Sequence, residues 1–127
     1  MAATGHDVHA AADYRRLRRR GIRVAREGIR WHRVEPSTGR FDFSDELARV
    51  RAAHEAGITV IWDLCHFGWP DDVDVFSAAF VDRLARLAGA FARLVASEVE
   101  GVPFYTPVNE ISFVAWAGGR AGYLNPF

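Results

Sequence analysis

Cysteine is all but missing from this chain. Cys65 is the only one, which excludes an intramolecular disulfide and any thiolate metal cluster. Its neighbours are apolar, so it reads as a small buried hydrophobe. Net charge is missing as well: 16 Lys and Arg balance 16 Asp and Glu. Without a global field there is no reason to expect nucleic acid or an anionic membrane as partner. No apolar stretch approaches the roughly 20 residues of a membrane-spanning helix. Met1 to Asp7 lack the charged start and apolar core of a signal peptide. With Met1 as the natural start, the expectation is a cytoplasmic protein. The one local excess of charge, Arg15, Arg16, Arg18, Arg19 and Arg20, has no interleaved aromatics and reads as a solvated helix face.

What is present is apolar and patterned. The 127 residues are 50% hydrophobic and 13% aromatic, enough for one domain, residues 1–127, with a real core. Val8 to Arg20 reads as a helix stopped by Gly21, with Ala10, Tyr14 and Leu17 on one face. Ile22 to Arg26 alternates as a short strand, with Arg26 at its carboxyl end. A long connection, Gly28 to Phe43, follows; such connections inside a compact domain usually carry function. Ser44 is placed to cap a second helix, with Leu47, Val50 and Ala53 on its buried face and Gly57 ending it. Ile58 to Leu64 is a nearly unbroken apolar strand that calls for cover on both faces.

The third helix is the clearest element. Ser77 stands at its cap, with Phe76 before it placed to staple onto Val81. Phe80, Leu84, Leu87, Phe91 and Leu94 then recur at helical spacing to near Glu98, the signature of core packing. Asp71, Asp72 and Asp74 miss the spacing of a calcium loop. Phe104 to Ser112 reads as a strand buried on both faces, ending in Asn109 and Glu110. A loop with Trp116, Gly118, Gly119, Gly122 and Tyr123 follows. Helix, strand, helix, strand, helix, strand predicts an α/β fold of about three parallel strands with flanking helices.

The reaction-capable residues gather where these strands end. Arg26, His66 and the Asn109-Glu110 pair would all project from one rim of a parallel sheet, the rim where α/β folds place active sites. A structural ion pair would account for any one of them; their agreement on one rim points to chemistry.

These residues resemble the retaining (β/α)8-barrel glycoside hydrolases, closest to the family 1, β-glucosidase-like group. Arg26-Glu27-Gly28-Ile29-Arg30-Trp31-His32-Arg33 resembles the second-strand motif Arg-x-Ser-x-x-Trp-x-Arg. His66-Phe67-Gly68-Trp69-Pro70 resembles His-Trp-x-x-Pro of strand three. Thr106-Pro107-Val108-Asn109-Glu110 resembles Thr-x-Asn-Glu of strand four, and Gly122-Tyr123 and Pro126 resemble the loop beyond it. Ile111 replaces the usual proline after the glutamate, Phe67 replaces a tryptophan, and Glu27 stands where an aromatic is common. Glu35-Pro36 through Gly39-Arg40-Phe41-Asp42-Phe43 also resembles other families of the same clan.

The resemblance implies a partial TIM barrel acting on a carbohydrate or glycoside without a cofactor or metal. Cleaving a glycosidic bond takes a carboxylic acid that protonates the leaving oxygen and a second carboxylate at the anomeric carbon. By resemblance Glu110 is the acid/base. Asn109 would bond the sugar 2-hydroxyl, His66 another hydroxyl of the same ring, and Arg26 would orient the nucleophile and keep it ionised. Trp31, Trp69, Trp116 and Tyr123 are candidate stacking faces for sugars.

A complete barrel takes about 250 residues, and the family's nucleophile lies on strand seven. The chain therefore resembles a fragment, from the first helix to the loop after strand four. Asp63 and Glu27 are the nearest stand-ins for the nucleophile, and neither is assured the 5–5.5 Å separation that retention needs. Alone, the chain is expected to be inactive and to self-associate through open sheet edges. Two other readings stay open. One is a non-catalytic carbohydrate-binding partial barrel, and the other a metal-dependent hydrolase using His6, His9, His66 and Asp63.

Overall fold

The structure is a computed structural model that describes residues 4–124; Pro126 of the expected loop motif lies outside them. The elements run α1 (His6–Arg19), β1 (Val24–Gly28), α2 (Trp31–Val34), α3 (Ser44–Glu55), β2 (Thr59–Asp63), α4 (Ala78–Glu98), β3 (Phe104–Thr106) and α5 (Ile111–Val114). The strands form one parallel sheet in the order β1-β2-β3. This is the expected α/β architecture, three strands of a barrel with their helices. Among the described residues no helix is long and apolar enough to cross a membrane.

The first strand starts two residues later than the alternation suggests, because the Ile22 N–H is tied into the cap that follows α1. Gly21 takes φ +80°. Its N–H bonds Arg18 O at 3.1 Å, and the Ile22 N–H bonds Leu17 O at 3.1 Å. This pair of bonds closes the helix carbonyls in a left-handed glycine cap. Arg26 therefore sits in the middle of β1, not at its end. The arginine run of α1 is exposed, and Arg16, Arg18 and Arg19 fall in its last turn, where the helix dipole favours cations.

Register decides what each face of the sheet carries. Arg26 lies beside Ile61 and Phe104, and Gly28 beside Asp63 and Thr106, whereas Glu27 lies beside Trp62 and Tyr105. The second set faces the helices. Trp62 packs edge-on to Phe91 at 5.2 Å, and Phe91 meets Phe43 at 5.5 Å. Leu87 and Phe91 of α4 are fully buried, and Phe80, Leu84 and Leu94 pack around them.

No helix among the described residues covers the first set, although side chains at the carboxyl end enclose Asp63. Val24 and Phe104 are each 52% exposed, and Thr59 is exposed too. The expectation of strands buried on both faces is thus corrected for β2 and β3: helices cover one face only.

A charged layer between α1, β1 and α3 escapes the sequence reading altogether. Arg49 and Glu46 are each 2% exposed. Arg49 Nη2 donates to Glu46 Oε1 at 2.8 Å and Nη1 to Gly28 O at 3.2 Å, and Nη1 also reaches Glu27 Oε2 at 3.3 Å. Tyr14, fully buried, donates its hydroxyl to Glu27 Oε1 at 3.0 Å. Burial, and then the Glu27 charge, push that phenol well above its ordinary range.

Local capping differs from expectation in three places. Ser44 is already helical, and the Asp42 carboxylate accepts its N–H at 3.0 Å, a bond that helps to hold the Asp42 carboxyl below its usual range, after the bond from the Ser44 hydroxyl. Ser77 is the N-cap residue of α4, yet its hydroxyl donates to Asp74 O at 2.7 Å and caps no helical N–H. Phe76 and Val81 are both exposed, so no staple closes over them. Asp72, from the acidic run, accepts from Arg83 and Thr38 at 3.0 Å each.

The loop expected after Glu110 is largely helical. α5 continues into a π-helical stretch, Ala115–Arg120, with Ala117 and Gly118 buried.

Candidate active site

The carboxyl rim of the sheet is assembled by main chain first. The ladder continues beyond the strands: Leu64 N–H bonds Thr106 O at 2.9 Å, and Asn109 N–H bonds Cys65 O at 2.9 Å. The turns after β2 and β3 are thereby held side by side, bringing His66 and Asn109 to one place.

Asp63 is the hub of that place. It is 2% exposed, and its Oδ2 lies 2.8 Å from Arg26 Nη2 and 2.7 Å from His66 Nδ1. The same Arg26 Nη2 donates to Asn109 Oδ1 at 2.6 Å. Three of the predicted residues, Arg26, His66 and Asn109, therefore form one hydrogen-bonded cluster through a fourth group. Asn109 is buried, whereas the Arg26 and His66 side chains are about half exposed. Arg26 reaches the rim from mid-strand because its side chain is long.

Glu110 follows Asn109 directly and is exposed. Its carboxylate has no hydrogen bond or ion pair to the described residues. The backbone there is left-handed, φ +46° and ψ +54°, which turns the chain out of the rim and into α5.

The four proposed stacking aromatics separate. Trp31 is 0% exposed, with its Nε1 donating to Glu35 Oε2 at 2.6 Å and its ring against Phe80 at 5.6 Å. The core encloses the ring, so the stacking assignment of Trp31 is corrected. Trp69 leans edge-on against Phe80 at 6.0 Å. It lines, with Cys65, Phe67 and Val108, an apolar cavity of about 300 Å³. Burial there raises the Cys65 thiol to about 11.

Trp116 and Tyr123 are exposed and belong to a continuous aromatic strip. Ring centroids step from His66 to Phe67 at 4.8 Å, to Phe113 at 5.7 Å, to Trp116 at 5.9 Å and to Tyr123 at 5.6 Å. Sequence reasoning does not pick out Phe67 and Phe113 as site residues. The spacing of Phe113 and Trp116 across one helical turn is the available signal.

The alternative carboxylates are committed elsewhere. Glu27 is on the helix side of the sheet, held by Tyr14 and Arg49, and cannot face a substrate lying over Asp63. Asp63 is enclosed by its partners. The histidines weighed for a metal site lie apart: His6 pairs with Asp13 at 2.9 Å and Glu27 at 3.0 Å, His9 is exposed, and His66 bonds Asp63. Among the described residues no three His, Cys, Asp or Glu side chains come together as a metal site.

No family model and no curated protein matches the chain. Solved structures do. The AHE enzyme from Alicyclobacillus herbarius superposes with a TM-score of 0.83 at 21% identity, over 95% of this chain and 28% of that one. The apo form of a β-glucosidase, 1317, gives a TM-score of 0.65 at 20% identity, over 91% of this chain and 31% of that one. At such identities the likeness is one of fold. The chain spans less than a third of the length of either neighbour.

Proposed function

We propose that this chain supplies the acid/base half of a retaining, β-glucosidase-like glycoside hydrolase. The observation that carries the reading is the hydrogen-bonded cluster of Arg26, Asp63, His66 and Asn109 on the carboxyl rim, with Glu110 beside it. An amide, an imidazole and a guanidinium around a small polar floor suit a ring of hydroxyls, and the aromatic strip offers stacking faces next to it. One neighbour of the same fold is a β-glucosidase, which supports the same class.

In this reading Glu110 donates its proton to the glycosidic oxygen and later takes one from water. Asn109 and His66 hold hydroxyls of the sugar, and Arg26 faces the second carboxylate. That nucleophile is not among the described residues, since Glu27 and Asp63 are both committed. The chain by itself then binds glycosides without turning them over. Titration with methyl β-D-glucopyranoside, followed by NMR, is expected to move the rim resonances.

The decisive test uses a longer polypeptide that contains this chain and hydrolyses β-glucosides. Glu110→Gln should lower turnover by about 10²–10⁴ on glycosides whose leaving group needs protonation. Glycosylation by an activated aryl glycoside should fall far less. Equal losses on both substrates would assign Glu110 to structure or to the nucleophile and overturn its role as the acid/base.

A further inference from the structure

Asp63 has no role of its own in the glycosidase reading, yet it touches two of the ligand-facing groups and reaches the third through Arg26. We infer that Asp63 is a positioning residue that sets the hydrogen-bond polarity of the rim, leaving His66 Nε2 as an acceptor and the Asn109 amide N–H groups as donors. The inference rests on the glycoside reading only for the nature of the ligand.

One line of contacts leads to it. Asp63 Oδ2 pairs with Arg26 at 2.8 Å and lies 2.7 Å from His66 Nδ1. A carboxylate oxygen already receiving a guanidinium N–H accepts; it has no proton to give. The His66 nitrogen facing it must then carry the hydrogen. A neutral imidazole has one donor and one acceptor, so Nε2 is left with a lone pair. With the side chain about half exposed, a ligand meeting Nε2 has to bring a donor.

The same pairing orients Asn109 at one remove. Arginine has no acceptor, so the Asn109 atom 2.6 Å from Arg26 Nη2 is the carbonyl oxygen. The amide nitrogen therefore points the other way. A site with one acceptor and one donor held side by side matches two neighbouring hydroxyls, one donating to His66 and the other accepting from Asn109. A ligand whose neighbouring polar groups are both acceptors, such as a carboxylate, would leave Nε2 unmatched.

The other oxygen of Asp63 points the same way. Oδ1 is buried and has no hydrogen-bond partner among the described residues, an arrangement that costs free energy. The carboxylate is thus poorly accounted for as a stability device alone, whereas its Oδ2 serves two partners at once.

The test reads the His66 tautomer directly, by long-range ¹H–¹⁵N NMR of the whole chain at about pH 8, above the ordinary imidazole range near 6.5. His66→Gln identifies the signal among the five histidines. The wild type should show the Nδ1–H form. Asp63→Asn should keep it, because Arg26 obliges the amide oxygen to take the Oδ2 position and that oxygen still accepts. Asp63→Ala should lose it and revert to a mixture dominated by Nε2–H.

A wild type carrying the Nε2–H form would overturn the inference, and so would an unchanged tautomer in folded Asp63→Ala. The wild-type and Asp63→Asn spectra decide the matter even where the alanine variant does not fold. No ligand is needed, so a failure to bind the glucoside strikes the glycoside reading and leaves this result standing.

Discussion

Two residues other than glycine have positive φ among those described, Phe67 at +55° and Glu110 at +46°. Each comes directly after a rim residue, His66 or Asn109. A side chain in the left-handed region costs about 1–2 kcal/mol, and such outliers persist where the surroundings impose them. Here the rim imposes them, because the turns after β2 and β3 are pinned by main-chain bonds just before these residues. Relief at one site should therefore show as stability. Glu110→Gly is expected to raise the stability of this chain by roughly 0.5–1 kcal/mol, after the greater freedom of unfolded glycine is counted. Thermal unfolding would then shift upward by a few degrees. A lower midpoint would mean that the Glu110 side chain stabilises the fold in its own right. The same substitution removes the proposed acid, so stability and chemistry oppose each other at this position.

At the scale of elements, α1, β1 and α3 are joined through the layer of Tyr14, Glu27, Glu46 and Arg49. Buried ion pairs add little over a well-packed apolar core, but breaking one from a single side leaves a charge without compensation. Arg49→Met strands the buried Glu46 carboxylate and takes one of several partners from Glu27, and should cost about 3–5 kcal/mol. Tyr14→Phe removes one bond to a charged acceptor and should cost about 1.5–3 kcal/mol. Urea unfolding of the two variants checks both the order and the sizes. A Tyr14→Phe loss equal to that of Arg49→Met would place the weight of the layer on the phenol.

This layer also marks where sequence reading stops. Glu46 and Arg49 lie on the α3 face that carries Val50 and Ala53, and a periodicity built on apolar residues alone treats them as solvated. The start of β1 is misread for a related reason: Ile22 suits a strand by type, but its N–H is spent on the α1 cap. α4 is legible almost to the residue because its apolar repeat is long and nothing competes with it. At the rim, residue type and strand order are enough to gather Arg26, His66 and Asn109. Asp63 is visible only as a nearby carboxylate, since which of its oxygens meets which partner depends on three-dimensional register. Trp31 fails as a stacking residue because a motif does not show which way its ring faces.

At the scale of the whole molecule, the sheet is covered on one face only. The other presents Val24, Ile61 and Phe104 around the Arg26 side chain, and β1 and β3 are edges within the three-stranded sheet. In a closed barrel that face would look inward and those edges would be paired. As an isolated polypeptide the chain should associate with itself, since open edges and exposed apolar rows template pairing. Sedimentation velocity over a range of concentrations is expected to show it, and Val24→Lys with Phe104→Lys should weaken it. A stable monomer that hydrolyses aryl glycosides would contradict both the association and the proposed division of the catalytic pair.

The bond from the Asn109 N–H to the Cys65 carbonyl has a consequence for descent. Because peptide groups, which every residue shares, hold the turns after β2 and β3 together, their spacing does not depend on which side chains they carry. In the proposed glycoside site, substitution at Phe67 or Ile111 alters what the rim recognises without moving Asn109 away from His66. On that reading specificity is free to drift on this scaffold while the distance between its two proposed contact points is inherited.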